Sequence, residues 1–145
     1  MDMLTGIMNR NEMNNRIDEL REGRDRIDRL GIVFADLNGL KRVNDQYGHE
    51  EGDSMLKNGA AVLRQVFAGD EIYRAGGDEF MILIRGREEE ELNQKCEEIK
   101  RLSSSFPKVS FAAGCCVIQD SREIRDALKI SRSEERRVGK ECRYR

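Results

Sequence analysis

Residues Ile72 to Ile84, IYRAGGDEFMILI, constrain this chain more than any other stretch. Two short apolar runs with alternating residue types flank a Gly-Gly pair, the pattern of a β-hairpin. Adjacent glycines accommodate the positive φ angles of tight hairpin turns, so Gly76 and Gly77 are expected to fix the tip. Two carboxylates, Asp78 and Glu79, follow directly. A turn alone needs no acids there, since Asn or Ser would serve. Two carboxylates at a rigid tip point to a divalent cation, and such a cation commonly accompanies phosphates. The competing reading is a solvated turn whose acids serve solubility, and the hairpin alone leaves both open.

The 145 residues suffice for one domain with one core. Charged residues make up 37% and the net charge is -2, with a mean hydropathy of -0.71. A highly charged, soluble surface follows, and the charge balance argues against a dedicated nucleic-acid binder. No apolar run reaches membrane-spanning length. The opening MDMLTGIMNR lacks the apolar segment of a signal peptide, so a cytoplasmic protein, or a piece of a larger one, is expected. Cys96, Cys115, Cys116 and Cys142 form no CxxC pair, and His49 is the one histidine. Reduced, mostly buried thiols are expected rather than zinc.

From Asn9 the pattern turns helical, with Met13, Ile17 and Leu20 on one face and Gly23 as interruption. Leu30 to Leu37, LGIVFADL, is a strand apolar on both faces, hence central in a sheet covered on both sides. Its one charge, Asp36, falls near the C-terminal end, where α/β sheets commonly place ligand chemistry. Asn38 is better placed than Asp36 to cap the helix that follows, Asn38 to Tyr47, which stops at Gly48. His49, Glu50 and Glu51 read as a polar joint, and Gly52-Asp53-Ser54 as the start of the next helix, with Asp53 suiting its dipole. After the hairpin come a helix over Arg87 to Leu102, a strand over Val109 to Ile118 and a helix from Arg122 to Ile130. This order contains the βαββαβ arrangement of α+β, ferredoxin-like folds. From Ser131 to Arg145 the apolar seam disappears and basic residues crowd in. That tail reads as disordered or as an artefact of sequence assembly, with a nucleic-acid-binding arm as the alternative.

In such a fold the first strand neighbours the hairpin, so Asp36 can approach Asp78 and Glu79. Three carboxylates that close repel unless a cation joins them. Oxygen-only ligands suit Mg²⁺ or Mn²⁺. A pair of such ions can serve both the attacking and leaving oxygens of a phosphoryl displacement. Lys41 could neutralise a polyphosphate, although an ordinary exposed lysine reads the same. The helix start at Asn38 and Gly39 offers backbone N–H groups to phosphate. There is no GxxxxGK[ST] or GxGxxG motif, and one histidine supports no Ser-His-Asp or Cys-His arrangement.

Gly76-Gly77-Asp78-Glu79-Phe80 resembles the name-giving motif of the GGDEF-domain diguanylate cyclases, whose catalytic domain has a palm-like core. Asp2 to Gly6 with Asn9-Arg10, Phe34 to Gly48 with His49, Gly52-Asp53 and Arg74 are similar to the family's other motifs, so the resemblance covers residues 2 to about 130. It implies that two GTP condense into cyclic di-GMP, releasing two pyrophosphates, in a homodimer of facing domains. It implies that Asp36, Asp78, Glu79 and the Leu37 carbonyl bind Mg²⁺ or Mn²⁺, two per GTP, and that Asp78 or Glu79 helps deprotonate the attacking hydroxyl. Asn44 and Asp53 would read guanine and Lys41 the phosphates, with His49 and Arg74 also placed at the substrate.

Three departures stand out. An RxxD inhibition motif is incomplete: Phe67-Ala68-Gly69-Asp70 keeps Asp70 without the arginine. The family's last helix, with an alanine- and tyrosine-containing segment and a phosphate-facing lysine, gives way to SRSEERR after Ile130. The upstream sensory or dimerising module that the family carries is not in this chain. The alternatives are a catalytically silent GTP-binding module and another nucleotidyl cyclase or polymerase palm, against which Asn44 and Asp53 speak.

Overall fold

The computed structural model describes residues 1–105 and 109–129. Its centre is strand β1 (Asp28–Leu37). Leu30, Ile32 and Phe34 point into one core cluster, and Val33, Ala35 and Leu37 into another, on opposite faces of the sheet. An uninterrupted apolar run thus becomes a strand covered on both sides. Strands β2 (Glu71–Arg74), β3 (Glu79–Arg85) and β4 (Phe111–Asp120) complete a sheet of order β2-β3-β1-β4. Each pairing is antiparallel.

On one face pack α2 (Leu40–Tyr47), α3 (His49–Val66) and α4 (Glu89–Ser105), burying Leu40, Leu56, Leu63, Leu92, Cys96 and Ile99. Opposite lie α1 (Arg10–Arg21), with Met13, Ile17 and Leu20, and the helical residues 124–129, with Ile124 and Ala127. Asn9 caps α1 by accepting from the Glu12 N–H, and the Glu12 carboxylate accepts from the Asn9 N–H. With α1 set aside, the order is βαββαβ, with α2 and α3 together filling the first crossover. The α+β, ferredoxin-like expectation holds. The last strand runs Phe111–Asp120 rather than from Val109; Phe111, Ala113, Cys115 and Val117 share one of its faces as the alternation requires, and Val109, just before it, joins the same core.

Three local expectations are corrected. Gly76 and Gly77 do not take positive φ. Residues 75–78 span β2 to β3, and a connection of that length needs no primed turn. Helix α2 starts at Leu40 without a side-chain cap, because Gly39 in the left-handed region is its N-cap. Asn38 instead donates through Nδ2 to Ser110 Oγ at 3.2 Å. His49, Glu50 and Glu51 are the first turn of α3 rather than a joint, which moves Asp53 into the second turn. Gly48, at φ 90, both ends α2 and begins α3, so no loop residues separate the two helices. The 131–145 tail lies outside the described residues.

Candidate active site and metal centre

Asp36 is the penultimate residue of β1 and the register partner of Glu79, which opens β3. One step further, the Leu37 N–H donates to the Asp78 carbonyl at 2.8 Å, continuing the ladder into the turn. Three backbone positions are thereby fixed before any side chain contributes. The carboxylates of Asp36, Asp78 and Glu79 each offer an oxygen within 4.8 Å of the others, and all three residues are half-buried. Oxygen donors at that spacing fit a hard divalent ion such as Mg²⁺ or Mn²⁺.

The turn carrying the acids is held from behind. The N–H groups of Ala75 and Gly76 both donate to the Glu79 carbonyl, at 2.8 and 3.3 Å. Arg74 donates through Nε to the Gly76 carbonyl at 3.2 Å and through Nη2 to the Gly77 carbonyl at 2.9 Å. Its Nη1 reaches the Asp2 carboxylate. Asp2 also accepts from the Thr5 N–H and hydroxyl. Burial opposes ionisation of Asp2, but these donors and the Arg74 charge outweigh it and hold the carboxyl below its ordinary value. The entry segment is laced to β2 as well, Met8 N–H to the Ile72 carbonyl and Arg74 N–H to the Met8 carbonyl. Arg74, expected at the substrate, thus has its guanidinium committed to the turn.

Asp36 and Glu79 also line a cavity of about 290 Å³ between α1 and the 124–129 helix. Phe34, Phe80 and Met81 give it apolar walls, and Arg10, Arg125 and Lys129 contribute cationic groups. Sequence reasoning missed these cations. The one signal was Asn9-Arg10, because Arg125 and Lys129 become neighbours of α1 only through packing on a shared sheet face.

Asn44, Lys41, His49 and Asp53 belong to the α2–α3 junction and are not among the residues lining that cavity. Lys41, His49 and Asp53 are exposed, and Asn44 is half-buried. Asn44 lies against Gly52, the residue before Asp53. The Asn38 N–H is taken by the Ser110 carbonyl at 2.9 Å, which removes it as a phosphate donor. Asp70 follows Gly69 and is half-buried. Burial raises its carboxyl above the ordinary value, against the pull of Lys95 and Arg87. Phe67, at the RxxD arginine position, is fully buried.

A family model described as the diguanylate cyclase, GGDEF domain, matches residues 1–138. The chain belongs to the GGDEF family. This GGDEF domain is 34% identical over 139 residues to the bifunctional diguanylate cyclase/cyclic di-GMP phosphodiesterase MucR of Pseudomonas aeruginosa, covering 90% of this chain and 20% of MucR. It is 34% identical over 99 residues to the cyclic di-GMP phosphodiesterase PdeR of Escherichia coli, covering 68% of this chain and 15% of PdeR. The chain therefore spans about a fifth or less of these two relatives. The GGDEF domain of DgcB from Caulobacter crescentus, solved in complex with c-di-GMP, superposes with a TM-score of 0.78 at 20% identity, covering 98% of this chain and 94% of that one. That likeness establishes the fold. Membership of the family implies diguanylate cyclase-type function. Among the described residues, no helix is long and apolar enough to cross a membrane.

Proposed function

We propose that this GGDEF domain is a diguanylate cyclase that condenses two GTP into cyclic di-GMP with release of two pyrophosphates. The observation that carries the reading is the convergence of Asp36, Asp78 and Glu79 within 4.8 Å at an intact motif. These carboxylates, with the Leu37 carbonyl, would hold Mg²⁺ or Mn²⁺, two per GTP. When bound, such ions neutralise phosphate charge and favour ionisation of an attacking hydroxyl. The 3′-hydroxyl of one nucleotide attacks the α-phosphorus of the other, a P–O bond forms, and pyrophosphate leaves. Asp78 or Glu79 accepts the hydroxyl proton. Lys41 meets the phosphates, and His49 stands beside them at the start of α3. Asn44 and Asp53 read guanine, Asp53 by accepting from the ring N–H and amino group that adenine does not offer together. Arg74 supports the turn.

Each domain holds one GTP, so the reaction needs a facing second copy, a homodimer. The domain is assigned to residues 1–130, with 131–145 an atypical tail. An upstream sensory domain would supply regulation, and a GTP-using enzyme of this kind works in the cytoplasm. Without the RxxD arginine, feedback inhibition through Asp70 is weak or absent. A catalytically silent GTP-binding module is the second reading, motivated by the similarity to PdeR, which is named for phosphodiesterase activity.

Incubation with GTP and Mg²⁺, with ATP in parallel and products separated by chromatography, tests both. Cyclic di-GMP from GTP alone is expected. Binding without turnover selects the silent module, and an ATP product removes the guanine assignment. Nucleotide affinity indifferent to Mg²⁺ overturns both readings.

A further inference from the structure

Gly52 is buried in the body of α3, and it does not have positive φ. Backbone freedom therefore does not account for a glycine there, where alanine would favour the helix by about 1 kcal/mol. Space does. A Cβ on Gly52 would lie 1.7 Å from Asn44 Oδ1, 2.8 Å from its Cγ and 3.4 Å from its Nδ2. No non-bonded pair tolerates the first of these distances. Gly59, also on α3, differs in kind: its Cβ would meet apolar atoms of Leu37 and Phe111 at 3.1 and 3.2 Å.

We infer that Gly52 is a positioning residue for base recognition, its missing side chain forming the seat of the Asn44 amide. The backbone closes the seat from both sides. The Gly48 N–H donates to the Asn44 carbonyl at 3.0 Å, and the Gly52 N–H donates to the Gly48 carbonyl at 3.3 Å. Asn44 and the second turn of α3 are thus joined through one residue, and Asp53 comes next in the chain. The two groups assigned to the guanine edge are set relative to each other at Gly52. The functional consequence rests on the GTP reading; the seat rests on geometry alone.

The test uses the full chain with Gly52→Ala, Asn44→Ala and the double variant. Three quantities are read: affinity for Mg²⁺ and a non-hydrolysable GTP analogue by calorimetry, thermal midpoint, and the Asn44 side-chain amide resonance, assigned by its loss in Asn44→Ala. Gly52→Ala is expected to shift that resonance and to weaken nucleotide binding about tenfold, the scale of one hydrogen bond. Asn44→Ala should cost about the same, and the double variant no more than either single, because the two act as one unit. In the Asn44→Ala background, where the space is free, Gly52→Ala should raise the thermal midpoint. An unmoved Asn44 resonance in Gly52→Ala overturns the seat. So does a double variant weakened about a hundredfold, or a midpoint lowered by Gly52→Ala in both backgrounds. If the resonance moves but neither single variant alters GTP affinity, the seat stands and the guanine assignment fails.

Discussion

Arg74 Nη1 donates to both carboxylate oxygens of Asp2, at 3.2 and 3.3 Å, while the same guanidinium holds the carbonyls of Gly76 and Gly77. The first residues of the domain and the turn bearing Asp78 are therefore one cross-linked unit. Displacement of the entry segment is felt at the acids, because the turn's outer carbonyls have Arg74 as their anchor.

Asp2→Asn should accordingly loosen the turn. Loss of a charge-assisted contact predicts a destabilisation of about 1 kcal/mol and a lower turnover. The pH dependence follows from the depressed carboxyl of Asp2. A carboxyl held below its ordinary value stabilises the fold at all pH above that value, 3.8, and this contribution fades as pH falls through the lower folded value. Thermal unfolding at pH 7 should separate Asp2→Asn from the parent chain, and the gap should narrow as pH falls below 3.8 and close once pH is below the lowered folded value. A gap independent of pH would assign the effect to something other than the ion pair.

Asp36→Asn and Asp78→Asn should separate stability from metal binding. Without divalent ions, removing the Asp78 charge from three close carboxylates relieves repulsion, so the Asp78→Asn midpoint is expected to hold or rise. With Mn²⁺ in excess the parent chain should gain stability, about 2.7 kcal/mol at a hundred times the dissociation constant. Both variants should lose that gain. Thermal scans with and without Mn²⁺ check this, and an Asp78→Asn variant that keeps the full metal-induced shift would remove Asp78 from the ion's ligands.

Asp70 carries the opposite sign. Burial raises its carboxyl despite Lys95 and Arg87, so ionisation works against folding. That penalty is full above the raised folded value and vanishes below the ordinary value of 3.8. Asp70→Asn should therefore raise the thermal midpoint at pH 7 and leave it unchanged near pH 3. Turnover inhibited strongly by added cyclic di-GMP in the parent chain, and relieved in Asp70→Asn, would contradict the expectation of weak feedback at this position.

The central strand and its acid were legible because burial writes itself as composition. An apolar run on both faces has one architectural solution, and Asp36 is the charge that interrupts it. The α3 start was not legible, because Gly48 serves two helices with backbone geometry alone where sequence rules expect a side-chain cap. The motif glycines are not explained by local turn rules: neither takes positive φ, a Cβ on Gly77 would face open space, and one on Gly76 would make ordinary contact at 3.4 Å with Glu79 Oε2. The Asp2–Arg74 pair and the Arg10, Arg125 and Lys129 cations join residues far apart in sequence, and no local pattern encodes them.

Gly31 predicts how far the core supports the site. It sits in β1 opposite Ile84 of β3, on the face where α4 lays down the fully buried Leu92. A Cβ on Gly31 would lie 2.7 Å from Leu92 Cδ1 and 3.3 Å from the Ile84 carbonyl oxygen. The carbonyl is in the backbone, and Leu92 is enclosed, so neither yields freely. Gly31→Ala should cost about 1–3 kcal/mol, seen as a lower urea midpoint with unchanged slope. Leu92→Ala alone should cost about 2–5 kcal/mol through its cavity. Together the two should cost less than their sum, since the methyl added at residue 31 occupies space vacated at residue 92. Strict additivity would mean that the Ile84 carbonyl, not Leu92, is what excludes a side chain from Gly31. In that case the strain acts on the β1–β3 ladder that also pairs Asp36 with Glu79, and Mn²⁺ affinity should fall along with stability.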